Sequence, residues 1–232
     1  MDLPHEVPVM TLPNVILFPH AMLPLFIFEP RYRRMIEDVL ESHRMFCVAM
    51  QKPDAMRESP VGIAGLGMVR ACVKKKDGTS NLVLQGLRRV KLGKATRYKP
   101  YRMHKIESLD STRSQPVMLE GLTRKLMQLL TDRLAQGFAP PLQFFKKEVE
   151  DGKVSEGPAE GVSFKEGIEF LAKMNEPEQL ADLISCSLLP NPLERQTILE
   201  TLDLASRLRF LNQFLGAEIK RVKRQNKNQD EV

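Results

Sequence analysis

Tryptophan is absent from this 232-residue chain, and tyrosine occurs only at positions 32, 98 and 101. Eleven Phe are present, but few aromatics are interleaved with the basic stretch from Lys74 to Lys105, where they would be needed to stack against unpaired bases. Cysteine is scarce as well. Cys47, Cys72 and Cys186 are odd in number and widely spaced, which gives no disulfide framework and no CxxC knuckle, and reduced, mostly buried thiols are expected. No run approaches the roughly 18–20 apolar residues that span a bilayer, and no segment reads as a signal peptide, so the expected location is cytoplasmic, away from membranes. The histidines at 5, 20, 43 and 104 form neither HExxH nor an i,i+4 pair, so no metal site is expected. Gly93-Lys94 is followed by Ala95 and lacks the glycine and hydroxyl spacing that cradles phosphate and magnesium. No lysine is marked by its neighbours as the desolvated base that a Ser-Lys pair needs. The chain is thus expected to be no enzyme and to hold no cofactor.

What is present suits a globular protein. With 42% hydrophobic and 28% charged residues, the chain can bury a sizeable core in one large or two smaller domains. The stretch from Val7 to Leu40 organises it. The apolar runs Val7 to Leu12, Val15 to Phe18 and Leu23 to Phe28 are separated by Pro13-Asn14 and Pro19-His20, a strand, loop, strand pattern. Because proline lacks a backbone donor, the runs that contain one are expected at strand ends, sheet edges or bulges. Pro30 opens a helix whose apolar stripe is Tyr32, Met35, Ile36, Val39 and Leu40, with Glu29 near its positive end. Met45 to Met50 has strand length. Asp77-Gly78 readily takes positive φ and predicts a hairpin between Val69–Val73 and Leu82–Val90. The alternation along Leu82 to Leu87 is imperfect, and Tyr98 to Leu109 closes a β-rich portion of about six strands and one helix, read as a compact, partly closed barrel.

The second half changes period. Leu119, Leu122, Leu126, Leu129, Leu130 and Leu134 mark one helix, expected to end at Gly137. Residues 139–161, rich in Pro, Gly and charge, are expected to form an exposed excursion. Ser163 with Glu166, Asn175 with Glu178, and Asn191 with Glu194 have the spacing of helix starts. Asp203 caps a long last helix whose seam is Leu204, Leu208, Leu211, Leu215, Ile219 and Val222. That seam either packs on its own domain or pairs with a second copy.

VPVMTLPNVILFPHAMLPLFIFEPRYRRMI resembles the opening of the Lon amino-terminal, substrate-binding domain. VGIAGLGMV at 61–69 and LVLQGLRRVKL at 82–92 are similar to two further strands of that family, which usually has Glu where Gln85 stands. LADLISCSLLPNPLERQTILETL at 180–202 and the helix behind it resemble its helical part. The resemblance implies an α+β fold: a PUA-like, partly closed β-barrel lobe at 1–112, then an α-helical bundle lobe at 113–232 with a long C-terminal helix. It also implies binding of unfolded or exposed-hydrophobic polypeptide, as adaptor or holdase, with an AAA+ protease as a possible partner, and it leaves catalysis behind, since Lon's ATPase and Ser-Lys protease parts lie beyond the matched region.

Candidate polypeptide-binding residues are His20, Met22, Phe26 and Tyr32, on or next to the proline-held apolar loop; Phe18 and Leu23 in that loop read more readily as barrel plugs. Flexible, polarisable methionine suits recognition of varied partners. The net charge of +6 is concentrated in Lys74, Lys75, Lys76, Arg88, Arg89 and Lys91, followed by Lys94, Arg97, Lys99, Arg102 and Lys105. This set is open to three readings: a solvated face, a docking face for an acidic protein, or an RNA-binding face of a PUA-like module, the last disfavoured by how few aromatics are interleaved with it. A homodimer through the C-terminal seam is a further expectation, and an enzyme with an unrecognised site ranks behind both binding readings.

Overall fold

The structure is a computed structural model and describes residues 3–113, 115–135, 169 and 171–230. The elements run β1 (Glu6–Leu12), β2 (Met22–Ile27), α1 (Pro30–Leu40), β3 (Met45–Met50), β4 (Ile63–Lys74), β5 (Ser80–Arg97), β6 (Arg102–Leu109), α2 (Pro116–Ala135), α3 (Pro177–Leu188), α4 (Pro192–Glu200) and α5 (Leu204–Asp230). The chain divides into two compact units, Met1–Ser111 with Asn191–Leu202, and Thr112–Pro190 with Asp203–Val232. The expected excursion at 139–161, the helix end at Gly137 and the Ser163–Glu166 start lie outside the described residues.

In the first unit the strands form one sheet in the order β2-β5-β4-β3-β1-β6, and a further pairing of β5 with β6 closes five of them into a ring. β2 hangs on that ring as an extra edge strand, so the fold is α+β with a partly closed ring and not a clean barrel. β1 and β3 run parallel, and parallel neighbours need a crossover, here carried by β2 and α1. The long strand β5 serves three pairings, with β2, β4 and β6, and register shifts at Leu66/Gly67 and Val69/Ala71 let it and β4 bend. The turn after β4 has Gly78 at φ 81°, as the Asp77-Gly78 pair predicts.

Proline goes where its missing donor costs least. Pro24 sits in the edge strand β2, opposite Val83, and Pro8 pairs on the β6 side, one residue before the β3 ladder begins at Val9. Pro30 is in the first turn of α1, after Glu29 at the N-cap. The apolar stripe of α1 then buries Tyr32, Met35, Ile36 and Val39 in a core with Met10, Phe46, Leu82 and Leu84. A second core on the opposite faces of the strands gathers Val9, Cys47, Ala49, Leu66 and Val90, which is why every residue of β3 is buried. The loop Val15 to Phe18 is not a strand, yet Leu17 and Phe18 are at most 1% exposed. It crosses β4 and β5 so closely that a Cβ on Gly65 would lie 2.0 Å from the Leu17 carbonyl oxygen, and one on Gly86 1.9 Å from that of Phe18. Only glycine permits that approach.

Segment 191–202, expected with the helical lobe, clusters with the β unit. Two side-chain bonds tie it there: Gln196 Nε2 donates to the Ile63 carbonyl at 2.9 Å, and Arg89 Nε donates to the Leu199 carbonyl at 3.0 Å. The Asn191 side chain accepts from the Leu193 N–H and caps α4 as its spacing predicts.

In the second unit α5 packs on α2 and α3. The Asp203 carboxylate accepts from the Ser206 N–H at 2.8 Å and caps α5. The start of α3 differs from the sequence expectation: Pro177 occupies its first turn and Glu176 the N-cap, without a side-chain cap bond, so Asn175 does not cap it. The fully buried Arg207 lies 3.4 Å from Asp182 and 3.3 Å from Glu178. A buried guanidinium is tolerable only with such partners.

Candidate functional site

β2 alternates. Leu23, Leu25 and Ile27 turn toward the α1 core, and the even positions turn outward. Met22 is 39% exposed, Phe26 52% and Phe28, just past the strand, 59%, with Pro24 exposed between them. Cross-strand register extends this face over the hairpin: Pro24 pairs with Val83 and Phe26 with Asn81 on β5, and these pair with Ala71 and Val73 on β4. Val73 is 60% exposed. The Phe26 and Phe28 rings stack at 5.9 Å, and the Lys75 ammonium stands 5.1 Å from the Phe26 centroid. Exposed large apolar side chains scattered singly are ordinary; a contiguous set on one sheet face is a signal for a partner. His20 lies at the rim, exposed at φ 63°, with its backbone N–H donating to the Gly86 carbonyl.

Tyr32, named as a polypeptide contact, is not on this face. It is 4% exposed, its hydroxyl donates to the Thr11 carbonyl and accepts from the Thr11 N–H, both at 3.2 Å, and burial pushes its phenol up to about 12. It is a core residue with a satisfied tip. Sequence reasoning missed Phe28, Val73, Ala71 and Val83; the even-numbered alternation from Met22 to Phe28 was the available signal, and the hairpin register supplies the rest.

The basic set does not form one face either. Lys74, Lys75 and Lys76 cap the β4–β5 hairpin, whereas Lys91 lies eleven residues beyond Ser80 on β5, about 35 Å of extended strand. Arg89 is 2% exposed and engaged with α4, which removes it from any surface. Arg88 is paired with Asp110 at 2.8 Å, and Lys74 with Glu37 at 2.7 Å, a bond that holds the Glu37 carboxyl below its ordinary value. A separate cavity of about 260 Å³ is lined by Arg31, Glu58, Tyr98, Tyr101 and Arg102 among others. Two of its cations are paired: Arg31 with Glu29 and Glu58, and Arg102 with Glu58 at 3.8 Å; Lys99 lines it as well.

Among the described residues no group of three or more His, Cys, Asp or Glu side chains is placed to hold a metal, and no helix is long and apolar enough to cross a membrane. The family model of the ATP-dependent protease La (LON) substrate-binding domain matches residues 6–217. The chain belongs to the Lon substrate-binding domain family. Lon protease of Dictyoglomus thermophilum is 28% identical over 236 residues, covering 100% of this chain and 27% of that protein. Lon protease 2 of Myxococcus xanthus is 29% identical over 233 residues, covering 97% and 25%. The chain thus spans about a quarter of the length of these curated Lon relatives. In fold it is similar to the N-terminal domain of the Mycobacterium avium complex Lon protease, with TM-score 0.67, 16% identity, and 91% of this chain and 98% of that chain covered. The Lon N-terminal domain protein from Xanthomonas campestris aligns with TM-score 0.57 at 18% identity.

Proposed function

We propose that this chain binds polypeptide segments with exposed apolar residues on the outer face of β2, β5 and β4, and that it does so without covalent chemistry, as an adaptor or holdase. The observation that carries the reading is the contiguous exposure of Met22, Phe26, Phe28 and Val73 on one sheet face, in a chain of a family whose name is substrate binding. Met22 supplies an adaptable contact and the two phenylalanines supply area at little entropic cost. A cytoplasmic setting and association with an AAA+ protease belong to the same reading; free Cys47, Cys72 and Cys186 support the first, and the Lon relatives support the second. RNA binding through the basic residues is disfavoured by the burial of Arg89 and the ion pairs of Arg88 and Lys74. No dimer through the α5 seam is included, because Leu204, Leu208, Leu211 and Leu215 are at most 1% exposed.

Fluorescence anisotropy with a permanently unfolded, labelled polypeptide tests the proposal. Binding that survives 0.5 M salt and weakens in Phe26→Ala is expected. Binding that vanishes with salt, or that Phe26→Ala leaves untouched, overturns this face as the site.

A further inference from the structure

Among the described residues β2 pairs with β5 alone, and its other edge has no strand neighbour there. In an antiparallel pair, alternate residues direct both backbone groups at the neighbour and the residues between them direct both groups away. The Ala21 carbonyl accepts from the Gly86 N–H at 2.8 Å, which sets the phase: Leu23, Leu25 and Ile27 face β5, and Met22, Pro24 and Phe26 face the open edge. Pro24, with no donor to give, falls in the outward phase, so the ladder to β5 loses nothing. The open edge then offers carbonyls at 22, 24 and 26 and N–H groups at 22 and 26, over about 17 Å. A proline at the middle of an edge blunts long self-pairing, the usual hazard of an unpaired strand. It leaves room for a short, registered one.

The outward side chains of those same residues form the apolar row, and at its end the hairpin tip carries Lys74, Lys75 and Lys76 against a single carboxylate, Asp77. Lys75 stands over the Phe26 ring with Lys76 next to it on the hairpin tip, and among the described residues neither is in an ion pair with a carboxylate. We propose that the outer edge of β2 takes an extended apolar segment as an added strand, with acidic residues of that segment placed against Lys75 and Lys76. This rests on the polypeptide-binding reading above and adds to it a backbone-directed mode and a charge preference. Strand addition draws affinity from main-chain bonds and selectivity from alternate side chains, which suits a site that accepts many sequences once they are unfolded.

The test uses the full chain and a labelled nine-residue peptide with alternating Val and Phe and two Asp at one end. Two further versions carry N-methyl groups on alternate residues, one in each phase, and a fourth replaces Asp by Lys. Methylation in one phase is expected to weaken binding at least tenfold and in the other by less than threefold, since only one phase faces the edge. The Lys version is expected to bind at least fivefold more weakly at low salt, and Lys75→Glu on the protein to abolish that difference. Equal loss from both methylated phases, or no charge preference, overturns strand addition as stated, while binding of the unfolded polypeptide separately reports whether the broader reading survives. Failure of the peptide in a protein that still captures unfolded polypeptide also overturns it.

Discussion

Two rows of apolar side chains run along this molecule, and they meet opposite fates. On α5, Leu204, Leu208, Leu211, Leu215 and Ile219 are at most 7% exposed; on β2, Met22 and Phe26, with Phe28 beyond them, are 39–59% exposed. Both rows keep the period of their element, fours and threes on the helix and twos on the strand. The helix has α2 and α3 of its own unit against its seam, whereas among the described residues the outer side of β2 has no helix or further strand of its own unit against it, and the inner side meets the α1 core. Periodicity therefore says that a face is apolar, and only the count of neighbouring elements says whether the chain itself covers it. The uncovered face is the one where a partner gains most by binding.

The sharpest way to break this comparison is to truncate one residue from each row. Leu211→Ala is expected to lower the unfolding free energy by about 2–5 kcal/mol, the cost of emptying a packed leucine site, read as a shift of the urea midpoint at constant slope. Phe26→Ala is expected to stay within about 0.5 kcal/mol of the parent, as exposed positions do. Comparable losses from the two would mean that β2's outer face is covered in solution. A second contrast divides neighbouring arginines. Arg89→Ala removes the donor held by the Leu199 carbonyl and is expected to cost about 1.5–3 kcal/mol, whereas Arg88→Ala gives up only the exposed pair with Asp110 and costs about 0–1 kcal/mol. Next in size comes binding: Phe26→Ala is expected to weaken capture of unfolded polypeptide by about 1–2 kcal/mol, roughly 5- to 30-fold, while Leu193→Ala, exposed on α4, leaves it unchanged.

Much of the fold was legible because local chemistry decides it. Pro30 and Asp203 at helix starts, Asn191 as a cap, Asp77-Gly78 at the turn and Pro24 at an edge each carry their reason in the residue itself. What escaped depends on long-range register. Burial alternates regularly from Leu82 to Leu87, and the pattern breaks at the shift at Leu66/Gly67, where β4 advances one residue while β5 goes from Arg88 to Gly86; past that point Arg89 turns inward and Arg88 outward, which no local pattern announces. The attachment of 191–202 to the β unit rests on bonds from Gln196 to Ile63 and from Arg89 to Leu199, more than a hundred residues apart. For the site, Met22 and Phe26 were visible from the period of β2, but Val73 joins them only through the hairpin register. Tyr32 stood in the candidate set as a neighbour of the proline-held loop, although the same stripe that holds Met35 and Ile36 already placed it in the core.

Tyr32 also offers the finest probe of the divide between covered and uncovered rows. Its phenol is raised from an ordinary value near 10 to about 12, chiefly by burial, with the Glu58 carboxylate adding to the shift. A group whose folded value is raised binds its proton more tightly in the native state, so its contribution is complete below pH 10 and is lost as pH rises from 10 through about 12. Tyr32→Phe deletes that titration. The variant is expected to lose about 1 kcal/mol at pH 7, from the bonds to Thr11, and to show a shallower fall in stability between pH 10 and 12 than the parent, measured by urea unfolding at each pH. An unchanged slope would mean that the phenol meets water as Phe26 does, and Tyr32 would return from the core to the exposed set beside β2.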